Sequence, residues 1–222
     1  MSRRDIRLVT DFEDIYDHFF GQDGVDFRRV RTSKMARSDM FEFLEDLGMK
    51  IPAHGRVVDL VDILSVKYGQ DRAPYSRVVV YLDEAACRGH GKELMLLGEA
   101  VERTPHHYAS EYVAGPQRGA SQRMIQIGSR SFWLMYRNRA DWRSNHGDDV
   151  SVAVVGESER GYSESINLPL FAIDFVIGED NSLHAIDFSA APEMKGTGLD
   201  QKISPEDVFD EIVASMARRA AS

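Results

Sequence analysis

The stretch that most constrains this chain lies near its C-terminal end: LPLFAIDFVIGEDNSLHAIDFSAAP, residues 168–192. Two apolar runs flank the polar sequence Gly178-Glu179-Asp180-Asn181-Ser182, a pattern that predicts a β-hairpin. Each arm carries one aspartate, Asp174 or Asp187, in the same Ile-Asp-Phe setting. An acid within an apolar strand is costly to desolvate. Pairing of the arms would bring the two side by side, where carboxylates repel unless a divalent cation or an arginine compensates them. Such an oxygen-rich pair suits Mg²⁺ held jointly with phosphates. The competing reading leaves one aspartate facing solvent at a strand end. On the metal reading, neutralising either acid should leave the ligand-free fold as stable as before or slightly more so.

The rest of the chain mixes helical and strand patterns without regular alternation. A strand running into an amphipathic helix is predicted over residues 7–24, and a strand over 25–32. SDMFEFLEDLGMKIP predicts a helix capped by Ser38 and stopped by Gly48, and RVVDLVDILSVKYG a second one. SRVVVYLDE reads as a strand, followed by a glycine-bearing loop leading into a helix up to Pro105. YASEYVAG, the hairpin SQRMIQIGSRSFWLMYRN and DVSVAVVG follow as strands. SPEDVFDEIVASMARR closes the chain as a helix, with Ser204 as cap, acids in its first turn and arginines at its far end. Segregated helices and hairpins favour an α+β fold over a doubly wound parallel sheet.

Composition removes several functions. Lysine and arginine total 27 against 36 aspartates and glutamates, for a net charge of −9. That argues against a protein held on duplex nucleic acid by phosphate contacts. The single cysteine, Cys87, excludes an internal disulfide and a four-thiolate zinc site. No run approaches the roughly 18 apolar residues of a membrane span, and the first residues lack the apolar core of a secretory signal. A cytoplasmic, soluble protein without a membrane partner is the expectation.

Two further groups could carry chemistry. In CRGHGKE, Arg88, Gly89, Gly91 and Lys92 offer backbone amides and positive charge to an anion, although the P-loop spacing is absent; a solvated turn is the plainer reading. In MYRNRADWRSNHGDD, Arg137, Arg139 and Arg143 precede Asn145, and Arg123 lies on the preceding strand. Arginines beside two aspartates would polarise a phosphoryl or carboxyl group; a surface charge network is the alternative. His106 and His107 lack any zinc-type spacing.

Taken in order, these stretches resemble the ATP-grasp ligases, in particular the branch that adds amino acids to peptides or to protein ends. RSDMFEFLEDLGMKIPAHG is similar to the helix opening the nucleotide-binding part, and VVVYLDEAACRGHGKEL to the strand and glycine loop that cover the triphosphate. ASEYV resembles the hinge strand that reads adenine, the Arg123–Asn145 region the substrate-arginine strands, and the Asp174/Asp187 hairpin the magnesium-binding one. The resemblance covers about residues 34–216. It implies two α+β lobes, about 34–113 and 114–222, with ATP and Mg²⁺ in the cleft between them. It further implies Arg37, Arg88, Gly89, Gly91, Lys92, Glu111, Tyr112 and Val113 at the nucleotide, and Asp174, Asp187 and Ser189 at the metal. Arg123, Arg143 and Asn145 would be catalytic.

Three positions depart from the family pattern. Arg37 stands where a lysine is usual, Tyr81 or Leu82 where a second lysine ends the strand, and Ser189 where an asparagine binds metal. With about thirty residues ahead of the match, the chain resembles minimal ATP-grasp proteins of phage genomes. The implied activity is ATP-dependent ligation of a carboxylate to an amine through an acyl-phosphate. The acceptor would be an amino acid, peptide or protein terminus, and its site would come from the arginine strands, a second copy or a partner. A weakened ATP-binding or scaffolding module and a phosphotransferase are the alternatives.

Overall fold

The computed structural model describes residues 36–84, 90–158, 166, 168–190 and 192–220. The elements predicted over residues 7–32 lie outside the described residues, as do Arg88 and Gly89. The first described helix, α1 (Arg37–Asp46), buries Met40, Phe41 and Leu44 on one face. It starts two residues earlier than Ser38 suggested: Ala36 occupies the cap and its carbonyl accepts from Met40 N at 3.0 Å. Gly48, at φ +73°, ends it as expected.

A four-stranded antiparallel sheet follows, in the order β1-β4-β2-β3. Its strands are β1 (His54–Arg56), β2 (Arg77–Tyr81), β3 (Lys92–Leu96) and β4 (Tyr108–Glu111). Helices α2 (Val57–Tyr68) and α3 (Leu97–Arg103) cover one face. The alternation of β2 explains the layering: Val78 and Val80 join Val57, Leu60, Leu64 and Leu97 in one core, while Val79 and Tyr81 point the other way. β3 was not legible as a strand. Lys92-Glu93-Leu94-Met95-Leu96 is built of helix formers, and pairing with β2 overrides that preference.

The second sheet is five-stranded and antiparallel, in the order β7-β6-β5-β8-β9. Its strands are β5 (Ala120–Ile127), β6 (Arg130–Asn138), β7 (Val150–Ser158), β8 (Leu170–Ile177) and β9 (Leu183–Ser189). Both predicted hairpins are present, with turns at Gly128 (φ +57°) and at Asn181 (φ 59°). Helix α4 (Pro205–Ala220) packs Val208 and Ile212 into the outer core with Ile125, Phe132 and Leu134. Ser204 caps it: its Oγ accepts from Asp207 N at 3.1 Å and donates to the Asp207 carboxylate at 2.8 Å. A third core lies between the sheets, where Phe41, Val79, Tyr81 and Tyr108 meet Met124, Ile173 and Phe175. The two sheets are thus separate antiparallel layers joined by an apolar seam, and a cleft opens beside that seam.

Candidate functional site

The cleft is open to solvent and has a cavity volume of about 100 Å³. Both sheets contribute walls. Val79, Tyr81, Lys92 and Ser110 come from the first, and Asp174, Val176, Ile186 and Asp187 from the second. The strand end Glu111-Tyr112-Val113 closes one side, and the loop Trp142-Arg143-Ser144-Asn145 another.

Asp174 and Asp187 are directly opposite across the β8–β9 ladder. A bulge lies immediately beside them: Phe175 pairs with Ala185, so Ile186 is one residue extra on β9. The bulge lets Ala185 enter the core while Asp187 and Ile186 line the cleft. Each aspartate meets an arginine. Arg123 grips Asp174 bidentately, Nε donating to Oδ1 at 2.5 Å and Nη2 to Oδ2 at 2.8 Å, as the β5–β8 register, Arg123 against Asp174, dictates. Arg37 Nη1 lies 3.0 Å from Asp187 Oδ1. Burial opposes charge on both guanidiniums, yet the facing carboxylates outweigh it and raise both pKa values. For Asp174 the compensating group is thus an arginine, the alternative to a cation that the sequence also allows. Ser189 lies two residues beyond Asp187, opposite Ala172 and outside the cleft lining.

Lys92 stands directly across the β2–β3 ladder from Tyr81. Its Nζ is 5.5 Å from the Tyr81 ring centroid, and the Arg37 guanidinium approaches the same ring at 5.2 Å. Tyr81, one of the two residues at the expected strand-lysine position, therefore carries a lysine from the neighbouring strand. Burial, then the Arg37 charge, holds the Lys92 pKa below its ordinary value. Gly91 takes φ +63°, and its carbonyl accepts from Leu82 N at 2.8 Å, closing the hairpin.

The hinge residues divide their work. The Glu111 carboxylate, expected at the hinge or ribose, accepts from Lys67 Nζ at 2.7 and 2.8 Å and from the Tyr68 hydroxyl, all at the end of α2. The Tyr112 ring instead meets Trp142 edge-on, at 6.0 Å. Trp142, Asp141 and Asn138 carry no motif that sequence reading could weigh, yet they shape the arginine loop. Asp141 takes the Arg143 backbone N–H at 2.9 Å and its guanidinium at 3.0 and 2.6 Å. Those bonds hold the Asp141 carboxyl down at about 2. The structure therefore brings Lys92, Glu111, Tyr112, Val113, Arg143, Asn145, Asp174 and Asp187 to one cleft. Arg37 and Arg123 stand behind the aspartates.

Several solved proteins share this arrangement of sheets. PsnB, an ATP-grasp ligase solved with a phosphomimetic variant of its minimal precursor, Mg and ADP, superposes with a TM-score of 0.57 at 12% identity. The match covers 83% of this chain and 60% of PsnB. The chain has the ATP-grasp fold. D-cycloserine synthetase DcsG gives 0.54 at 12% identity over 84% of this chain and 70% of its own. D-alanyl-alanine synthetase A from Vibrio cholerae gives 0.52 at 9% identity, over 83% and 66%. No protein-family model matches the chain, and no curated protein matches it. Among the described residues no helix is long and apolar enough to cross a membrane.

The donor set of the ATP-grasp cleft fits a magnesium–nucleotide pair. Two facing carboxylates supply hard oxygen ligands, too few for a self-sufficient cage but enough for a cation that shares its shell with phosphates. Among the described residues no group of three or more histidine, cysteine, aspartate or glutamate side chains competes as a metal site.

Proposed function

We propose that this chain is an ATP-dependent ligase that joins a carboxylate to an amine through an acyl-phosphate. The carrying observation is the convergence of Lys92, Arg143, Asn145 and the opposed Asp174 and Asp187 on one cleft of ATP-grasp fold. The strand end Glu111–Val113 binds adenine through its backbone, between the apolar walls of Val79, Val176 and Ile186. Lys92 binds phosphate oxygens, which favour its charged form against the burial that lowers its pKa; Arg37, held behind Asp187, adds positive charge to the same end of the cleft. Asp174 and Asp187 hold magnesium, which when bound neutralises the phosphates and polarises the transferred phosphoryl group. Arg123 is a positioning residue on this reading, because its guanidinium is committed to Asp174. Arg143, oriented by Asp141, binds the reacting carboxyl group and stabilises the negative charge that develops as the amine attacks. Asn145 lines the same wall and orients the acyl group. Of the acceptors considered, an amino acid, a peptide or a protein terminus, PsnB in complex with a variant of its minimal precursor supports a peptide. An acceptor site completed by a second copy or a partner belongs to the same proposal.

A second reading, ATP binding without ligation, draws on the arginine already paired with each aspartate and on Tyr81 at the lysine position. A screen of ADP release over amino acids and peptides with Mg²⁺ separates the two. Release that requires both an acid and an amine supports ligation. Nucleotide binding without release under any mixture supports the second reading, and release with a hydroxyl acceptor alone would point to phosphotransfer.

A further inference from the structure

The loop that brings Arg143 and Asn145 to the cleft is eleven residues long, 139–149, and among the described residues it contains neither helix nor strand. Such a loop keeps side chains in place only if something over-determines its backbone. The residue that does so is Asn138, the last residue of β6, only 3% exposed. Its Oδ1 accepts from Ala140 N and Asp141 N, both at 2.9 Å, while its Nδ2 donates to the His146 carbonyl. One side chain thereby ties the start of the loop to its far half. Asparagine alone combines the two-lone-pair acceptor and the donor needed at that length.

The main chain beneath is fixed as well. Asn138 N donates to the Gly119 carbonyl at 2.8 Å. Gly119 has φ +69°, and a Cβ there would sit 2.3 Å from Asn138 O and 2.4 Å from Asp141 O. Only glycine allows the β5 and β6 chains to approach that closely. At the loop tip Ser144 is hydrogen-bonded to Ser121, and Trp142 rests against Tyr112.

We infer that Asn138, seated on Gly119, is the positioning residue of the site: it sets the loop that places Trp142, Arg143 and Asn145 in the cleft. The inference rests on the ligase reading only for its catalytic consequence. The chain holds two tryptophans, Trp133 and Trp142, so a Trp133→Phe background leaves Trp142 as the single reporter of the loop. In that background Asn138→Ala should keep a cooperative melt, shift Trp142 emission to the red and raise acrylamide quenching at least twofold. Asn138→Asp, which keeps the acceptor and loses the donor, should give an intermediate shift. Gly119→Ala, acting from the other side, should move the same signal and serves if Asn138→Ala does not fold. With the acid and amine found by the ADP-release screen, Asn138→Ala should lower kcat at least tenfold while the Kd for Mg-ATP stays within about threefold. Unchanged Trp142 emission and quenching in a folded variant overturns the inference, and so does a displaced loop with unaltered kcat. A wild-type chain that never releases ADP overturns the ligase reading alone, because the emission measurement needs no turnover.

Discussion

Asp174 and Asp187 share a sequence setting and face each other across one ladder, yet the molecule holds them differently. Asp174 lies on an interior strand, its side chain 14% exposed, and is gripped through both oxygens by an arginine that is itself 20% exposed. Asp187 lies on the edge strand, 37% exposed, and meets Arg37 through one nitrogen at 3.0 Å. A bidentate pair between two interior strands is part of the fold's framework. The single contact engages only one oxygen of Asp187, although the arginine that makes it is itself 7% exposed. One acid is therefore anchored and the other adjustable, although no local sequence difference separates them.

The largest expected effect breaks the anchored side. Asp174→Asn leaves the Arg123 charge without its partner, so the ligand-free fold should lose ~3–5 kcal/mol in urea denaturation. A loss below about 1 kcal/mol would show that Arg123 is satisfied elsewhere. Asp187→Asn, on the adjustable side, should cost the ligand-free fold less than Asp174→Asn but more than the loss of a surface pair, because Arg37 is only 7% exposed. A further effect falls on the ligand: calorimetric affinity for Mg-ATP should drop at least about tenfold, ~1.4 kcal/mol. Chelation of magnesium should weaken nucleotide binding in the wild type and do little in this variant. A full magnesium dependence in Asp187→Asn would remove that residue from the metal.

Lys92→Met sharpens the comparison from the cation side. Burial and Arg37 depress the Lys92 pKa, so between that lowered value and the ordinary 10.5 the unfolded chain binds more protons, and wild-type stability rises with pH across that window. The substitution should flatten this alkaline rise and leave the ligand-free fold about as stable or slightly more so, while Mg-ATP binding weakens. Thermal melts between pH 7.5 and 10, with and without nucleotide, read both. A smaller effect lies away from the cleft. Burial depresses the pKa of His54, which stacks on Phe41 at 4.9 Å, and burial followed by the Lys50 charge depresses that of His184. Each has a folded value below 6.5, so stability should fall as pH drops through 6.5 and level off below the folded value. Melts from pH 7.5 to 5 should show this decline, and His54→Phe should reduce its slope. The Asp141 carboxyl, at about 2, contributes only in more acidic solution.

Much of this molecule is legible where one segment dictates its own structure. The Asp174/Asp187 hairpin, the hairpin turning at Gly128 and the Ser204-capped helix each carry their period and their turn in a short window. The glycine loop's lysine and the two aspartates are visible for the same reason, since opposite charge in an apolar setting demands a partner. What was hidden depends on neighbours distant in sequence. β3 is a strand only because β2 is available beside it. The Glu111 carboxylate is engaged by Lys67 and Tyr68, more than forty positions upstream, while the residue itself still lines the cleft. Arg123 reads as a substrate arginine until the β5–β8 register sets it against Asp174. Asn138 looks like a strand-end polar residue until the loop folds back over it.

The bulge at Ile186 has a second consequence, for self-association. β9 and β7 are the two outer strands of the five-stranded sheet, and an outer strand with a regular ladder of unmet amides is a template for a neighbouring molecule. Both are interrupted. Ile186 breaks β9 between Ala185 and Asp187, and Val155, 54% exposed, is the extra residue of β7 between Val154 and Gly156. Beside the break in β9 stands a carboxylate, and α1 packs along that strand. The irregularity that turns Asp187 toward the cleft thus also interrupts the regular ladder that addition of another strand requires.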